Sequence, residues 1–316
     1  MSRTCLIVDG LNIFTRHFIA NPSTNNNGES IGGIAGTLHS ISRLSERFSP
    51  NRVVVVWEGG GSIRKRAIYS NYKNGRKPQK LNRYYEGEIP DTIQNRNFQL
   101  NTLIAIMSKL SLLQIYVEDC EADDVIGYLC KYKLSDWKKV IISSDKDFYQ
   151  LLNNSTLIFS PTWKKFVSFK EVEDKFKITA ENFCLAKSIC GDISDNISGV
   201  KGVGFKVLAK RFPLLSSGKI FTISDILSEC TRQIENGSKI KVYKSILENE
   251  EVIRRNNKLI RLDTNNLAAF QIQKIENIVD TFKPVRNKID MIKILRENSI
   301  NNIDIDRVFL NMKKLG

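Results

Sequence analysis

At 316 residues, 41% hydrophobic and 26% charged, the chain can bury a sizeable core, as one large domain or two smaller ones, and its composition is ordinary for a soluble globular protein. A formal net charge of +14 is more than an enzyme of small metabolites needs; it suits a polyanion such as nucleic acid, and no strongly basic amphipathic helix points to a membrane surface instead. Six cysteines without a CxxC pair and only two histidines argue against structural zinc and for reduced thiols in a cytosol-like compartment, with no signal peptide and no run approaching a membrane span.

Thr4–Val8 is a short apolar run that stops at Asp9-Gly10. It reads as a central strand of a parallel sheet with Asp9 at its carboxyl end, or alternatively as a run into a turn acid. Asn21–Glu29 is a polar loop, and Ile31–Phe48 has helical spacing through Ile34, Leu38, Ile41, Leu44 and Phe48. Arg52–Trp57 (RVVVVW) is the clearest buried strand, and it too ends on an acid, Glu58, before three glycines. From Ser62 to Arg96 the chain turns basic, with Tyr69, Tyr72, Tyr84 and Tyr85 interleaved. Such a segment suits phosphate contact with base stacking, and equally a solvated loop; Arg64, Tyr72, Lys73 and Arg76 are its candidate DNA contacts.

Phe98–Leu113 returns to helical spacing and Gln114–Val117 is a short strand. Glu121, Asp123 and Asp124 then open a helix, with Glu121 and Asp124 on one face. Val140–Ser143 reads as a buried strand that ends on Asp145 and Asp147, and Thr156–Ser160 and Lys165–Ser168 as a further strand pair. Strands alternating with helices to about residue 180 predict an α/β fold with a mostly parallel sheet. Beyond it the chain is helical and basic. Gly199, Gly202 and Gly204 allow a tight turn between two helices, with Lys201, Lys206 and Lys210 beside it, the pattern of a helix-hairpin-helix that grips nucleic-acid backbone.

Singly, each acid reads as a helix cap or a solvated residue. Together, Asp9, Glu58, Glu121, Asp123, Asp124, Asp145 and Asp147 stand at strand ends or helix starts, and Asp192 and Asp195 precede the hairpin. In an open α/β sheet the strand ends share one crevice. Oxygen ligands without histidine or cysteine select Mg²⁺ or Mn²⁺, and two such ions roughly 4 Å apart serve phosphodiester hydrolysis.

The order of the motifs IVDGLN, VVVWEG, YKNGRKP, EADDVIG, SSDKDFYQLL and GDISDNISGVKGVGFK resembles the flap endonuclease / 5′→3′ exonuclease family, in particular its bacteriophage members, including phage ribonuclease H. The resemblance covers about residues 1–210, and LENEEVIRRNNKLIRL extends it weakly. It implies a PIN-like domain over 1–182 with a basic arch at about 62–96, and a helical DNA-binding region over 183–316 with an H3TH-type hairpin at 191–210. It implies that Asp9, Glu121 and Asp123 bind a first metal ion, and that Asp145, Asp147, Asp192 and Asp195 surround a second, with Asp124 alongside. Lys73 and Arg76 match residues that reach the scissile phosphate, and the hairpin is expected to hold K⁺. Glu58 departs from the family, which usually has Asp there.

The implied enzyme is a monomeric two-metal nuclease of replication, primer removal or repair. Its expected substrates are DNA with a 5′ flap, nick or free 5′ end, and RNA–DNA hybrids; its expected partners are a single-strand-binding protein, a clamp or a polymerase. It would work in the cytoplasm, the host's if viral. Two rivals remain open at this point. One is a catalytically inactive DNA-binding or scaffold protein of the same fold; the other is a PIN-class endoribonuclease toxin, which fits the acids but not the hairpin or the length.

Overall fold

A strand buried on both faces must be apolar at every position, and the chain supplies such runs. The structure, a computed structural model, describes residues 3–74 and 92–312. Its main sheet is built from Thr4–Asp9 (β1), Arg52–Trp57 (β2), Leu113–Tyr116 (β3), Lys138–Ile142 (β4), Thr156–Ser160 (β5) and Lys165–Val167 (β6). The strand order is β3-β2-β1-β4-β5-β6, parallel throughout except for the last strand, which runs antiparallel to β5. A two-stranded ribbon, Gly191–Asp192 (β7) with Ile197–Ser198 (β8), stands apart from it.

The helices that follow β1 and β2 are Gly10–Ala20 (α1), Gly32–Phe48 (α2), Ile63–Ile68 (α3) and Thr92–Met107 (α4). Ala122–Tyr128 (α5), Phe169–Phe176 (α6) and Ala180–Cys190 (α7) complete the α/β part and lead into Phe205–Arg211 (α8). The chain ends in Ile223–Glu235 (α9), Lys241–Glu248 (α10), Glu250–Ile260 (α11), Ala269–Thr281 (α12), Lys288–Glu297 (α13) and Ile305–Asn311 (α14).

Alternation along β1 divides the core. Cys5 and Ile7, with Val54, Val56 and Ile141, face α5, α7 and α12 through Val125, Phe183 and Ile275. Leu6 and Val8, with Val53, Val55 and Ile142, face α1, α2, α4 and the last two helices through Phe14, Leu38, Leu103, Met291 and Val308. A third cluster, including Ile189, Leu208, Ile226, Ile246 and Ile253, holds α7 to α11 together around the hairpin. The chain beyond Leu262 thus returns to both faces of the sheet.

The strands and helices expected of the α/β part are present among the described residues, with one displaced; of the arch expected at about 62–96, residues 75–91 lie outside the described residues. The helix expected over Phe98–Leu113 is α4, which starts at Thr92 and stops at Met107. Helical spacing runs on into Leu110–Leu113, but Ser111 takes a left-handed φ of 55° and donates its N–H to the Val285 carbonyl at 2.8 Å, and Leu113 pairs as strand. All six cysteines are unpaired, and five of them are buried. Among the described residues no helix is long and apolar enough to cross a membrane.

Candidate functional site: a carboxylate cleft at the sheet switch point

After β1 the chain runs outward to β2 and β3, then crosses to place β4 on the other side of β1. The carboxyl ends of β1 and β4 therefore border the switch point, where open α/β sheets leave a crevice. Asp9 ends β1, caps α1 by accepting the Asn12 N–H at 3.1 Å, and accepts the Ser143 hydroxyl at 2.9 Å. Burial, helped by the charges of Asp145 and Glu58, outweighs these hydrogen bonds and pushes its carboxyl up to about 7. Asp123, in the first turn of α5, is pushed up by burial and then by Asp145 and Asp9, against the pull of Lys73. Asp145 accepts the Asp147 N–H at 2.8 Å, which starts the 3₁₀ turn Lys146–Leu151. The Asp145 carboxylate thus raises the proton affinity of both Asp9 and Asp123, and Asp9 adds to the effect at Asp123.

A second group surrounds Glu121, at the start of α5. Lys65 lies 2.8 Å from Glu121 and 2.9 Å from Asp124, and Lys73 lies 2.6 Å from Glu121. The Tyr72 hydroxyl donates to Glu121 at 2.9 Å. Burial alone would raise the Glu121 carboxyl, but the two ammonium groups more than reverse it, to about 2. Asp124 is fully buried and also accepts the Asn266 amide at 3.1 Å; burial raises its carboxyl, with Lys65 pulling the other way. Lys65 is only 2% exposed, so its charge is committed to this pair of acids. Lys73 is held in a left-handed conformation, φ 54°, by donating its N–H to the Asp195 carbonyl at 3.0 Å.

The third group joins Asp147 to Asp192 and Asp195, from the segment after α7. One carboxylate oxygen from each lies within 4.8 Å of the others. Lys187 of α7 bonds Asp147 and reaches Asp192 at 2.5 Å. Burial raises the Asp192 carboxyl, but Lys187 and Ser194 lower it further, so it stays below the ordinary range. The Tyr72 hydroxyl, 3.5 Å from Asp195, and the Lys73 ammonium, 3.9 Å away, link this group to Glu121.

The remaining candidates lie around the cleft. Glu58 follows β2 and accepts the N–H groups of Gly61 at 3.2 Å and Ala122 at 3.5 Å; burial, then Glu121, raise its carboxyl. Arg64 is exposed on α3 and donates to the Asn265 carbonyl at 3.2 Å, apart from the acids. Arg76 lies outside the described residues. In the hairpin, Gly199 is pressed against the end of α7, where a Cβ would come within 2.2 Å of the Cys190 carbonyl, and Gly202 has a φ of 80°. Gly204 caps α8, and Lys201 and Lys206 are exposed.

Lys65 and Lys187 were not among the residues expected from the sequence. For Lys187 a signal exists: it is the single charge in the apolar helical stretch Asn182–Cys190. Lys65 has none, since it sits between Arg64 and Arg66 in a segment already read as basic and exposed. Three lysines, Lys65, Lys73 and Lys187, pair with these carboxylates among the described residues. An all-oxygen donor set of carboxylates fits a hard divalent cation.

A family model described as the 5′-3′ exonuclease, N-terminal resolvase-like domain, matches residues 4–177. A Shewanella woodyi protein named flap endonuclease Xni is 28% identical over 276 residues, covering 85% of this chain and 98% of its own length. A DNA polymerase I of Caldicellulosiruptor bescii is 31% identical over 220 residues, which are 67% of this chain and 24% of the polymerase. Among solved structures, the bacteriophage T5 D15 flap endonuclease, in a pseudo-enzyme–product complex with DNA and metal ions, shares the fold at a TM-score of 0.69 and 22% identity, over 94% of this chain and 99% of that one. The matched model runs from β1 through α6 and contains every carboxylate from Asp9 to Asp147, and the chain belongs to the 5′-3′ exonuclease family.

Proposed function

We propose that this protein is a structure-specific 5′ nuclease, a flap endonuclease and 5′→3′ exonuclease that hydrolyses DNA phosphodiesters with Mg²⁺ or Mn²⁺ in the carboxylate cleft. The observation that carries this reading is the convergence of acids from β1, α5, the turn after β4 and the segment after α7 on one crevice, with Lys73 at its edge. Asp9, Glu121 and Asp123 are assigned to one ion; Asp145, Asp147, Asp192 and Asp195 to another, with Asp124 alongside. Glu58, with its oxygens on backbone N–H groups, is assigned an outer place. When bound, such ions supply an activated water and stabilise the leaving oxygen.

The chain's own groups position the DNA. Lys73 lies between Glu121 and Asp195, where its ammonium offsets the repulsion a phosphate would meet from them, and Arg76 is assigned to the same phosphate. Because that charge grows as the bond breaks, Lys73→Ala is expected to slow single-turnover cleavage on the order of 10²-fold while binding stays near normal. A binding titration in Ca²⁺ beside a single-turnover assay separates the two. Lost affinity with a retained rate would make Lys73 a docking residue.

DNA with a 5′ flap, a nick or a free 5′ end is the assigned substrate class, gripped by the hairpin, with K⁺ as its assigned ion. Replacing Lys201 and Lys206 together by alanine should weaken duplex binding regardless of sequence and lower the log–log salt slope by about 0.9 per lost phosphate contact. An unchanged slope would leave both lysines as surface charge. The whole reading is tested with flap, nicked duplex, RNA–DNA hybrid, single strand and closed circle, each with Mg²⁺. Binding without cutting on every substrate would favour an inactive scaffold, and cutting of the hybrid would add ribonuclease H activity. A single-strand-binding protein, clamp or polymerase is the assigned class of partner, and the monomer the assigned state.

A further inference from the structure

A second concavity opens beside the acids, on the side away from the hairpin. It has a volume of about 490 Å³ and lies between one face of α4 and the ends of β2 and β3, within the range of about 300–1,000 Å³ that encloses small-molecule-sized groups. Glu58 lines it, and so does Leu11, two residues past Asp9, so it is continuous with the carboxylate cleft. Trp57 and Tyr116 are register partners at the ends of neighbouring parallel strands and so project to the same face of the sheet. From α4, Leu100 and Ile104 are one helical turn apart, as are Asn97 and Asn101.

The composition of these walls is selective. Tyr116 is 48% exposed and Ile104 38%, so two large apolar side chains are left open to solvent in one cleft that borders an intensely charged site. A metal ion gains nothing from such surfaces, whereas Arg96, also in the lining, suits the phosphate that a nucleotide carries with its base. A nucleobase gains from the apolar walls, because it has two apolar faces and a polar edge. The asparagine amides each offer a donor and an acceptor, which any base edge can meet, and the aromatic ring stacks on any base. At Gly60, also on the rim, a Cβ would touch nothing within 4 Å, so the entrance is open.

We infer that this cleft receives one unpaired nucleobase of the DNA substrate, stacked on Tyr116, from a nucleotide next to the bond that is cut. The inference rests on the nuclease reading above and gives that enzyme a specificity element: a requirement for a base, of any identity, at one frayed position. It makes Tyr116 a substrate-binding residue with no part in the chemistry.

The test uses the full chain with Mg²⁺ and a set of 5′-flap substrates, each carrying one abasic residue at a successive position around the cut. Wild-type protein should lose about tenfold in kcat/KM at a single abasic position, mostly through KM, the scale of one base–aromatic stack. Tyr116→Ala should lose the same factor on the intact flap and then be indifferent to that abasic site, while Tyr116→Phe behaves as wild type. Ile104→Ala, on the opposite wall and also half exposed, should reproduce the position-specific loss at smaller size. The inference is overturned if Tyr116→Ala cuts the intact flap as wild type does, or if its penalty simply multiplies with the abasic penalty at every position. Failure of the wild type on the intact flap would instead overturn the nuclease reading, and the inference with it; the intact substrate thus distinguishes the two failures.

Discussion

Asp145→Asn is expected to yield a folded protein that binds flap DNA and does not cut it. The amide oxygen can still accept the Asp147 N–H that Asp145 now accepts at 2.8 Å, so the 3₁₀ turn after β4 keeps its cap. What is lost is a negative charge that both Asp9 and Asp123 feel. Those two carboxyls should then ionise more easily, yet the cleft presents one fewer anionic ligand to a cation. The expected cost is at least on the order of 10²-fold in single-turnover cleavage in Mg²⁺, the scale for losing one preorganised charge at a reacting centre. A thermal melt matching wild type would confirm that the loss is chemical. Turnover close to wild type would remove Asp145 from the proposed metal site.

Lys65→Ala should act on stability first. The ammonium is 2% exposed and touches Glu121 and Asp124, which are equally dry. Deleting it leaves two buried carboxylates facing each other, and breaking a buried pair in this way costs about 3–5 kcal/mol. The midpoint of urea unfolding should fall while its slope stays constant, since the surface exposed on unfolding is unchanged. Lys65→Met, similar in length and apolar, should fare little better, because Asp124 still lacks its lysine while Lys73 stays on Glu121. If either variant unfolds with the wild type, Glu121 and Asp124 must obtain compensation elsewhere, and Lys65 is not the ion that holds α3 against α5. The same measurement in Mg²⁺ is informative: a cation bound by Glu121 should recover part of the loss.

Arg52–Trp57 and Thr4–Asp9 were legible because a strand packed on both faces has no polar position to spare, so the first acid marks where it leaves the core. That rule also located Glu58 and Asp145. The grouping of the acids was less legible, because it depends on which strand ends are neighbours. Sequence spacing says nothing of β4 lying against β1, or of Asp192 reaching Asp147 through Lys187. The end of α4 was misplaced because apolar residues at helical spacing continue through a turn that a distant carbonyl, Val285, stabilises. Lys65 was hidden for a related reason. In the six-residue helix α3 no periodicity can separate one buried cation from the exposed Arg64 and Arg66 beside it.

One buried side chain ties the hairpin to the helix that reaches the cleft. The Asn256 amide of α11 donates to the Ser188 carbonyl in α7 at 3.0 Å and to the Ser198 carbonyl at the root of the hairpin at 2.8 Å, while Lys187, next to Ser188, bonds Asp147 in the cleft. Asn256 is fully buried, so these bonds are not exchanged for water. Hairpin and carboxylates are thereby riveted to a common helix, and the interval between them behaves as a fixed ruler. On the reading proposed above, a duplex held at the hairpin would meet the acids at a constant number of nucleotides from the grip, whatever its sequence. The constancy of the cutting position would then be a property of the scaffold's stiffness, to which an asparagine bonded to backbone carbonyls of α7 and the hairpin root contributes.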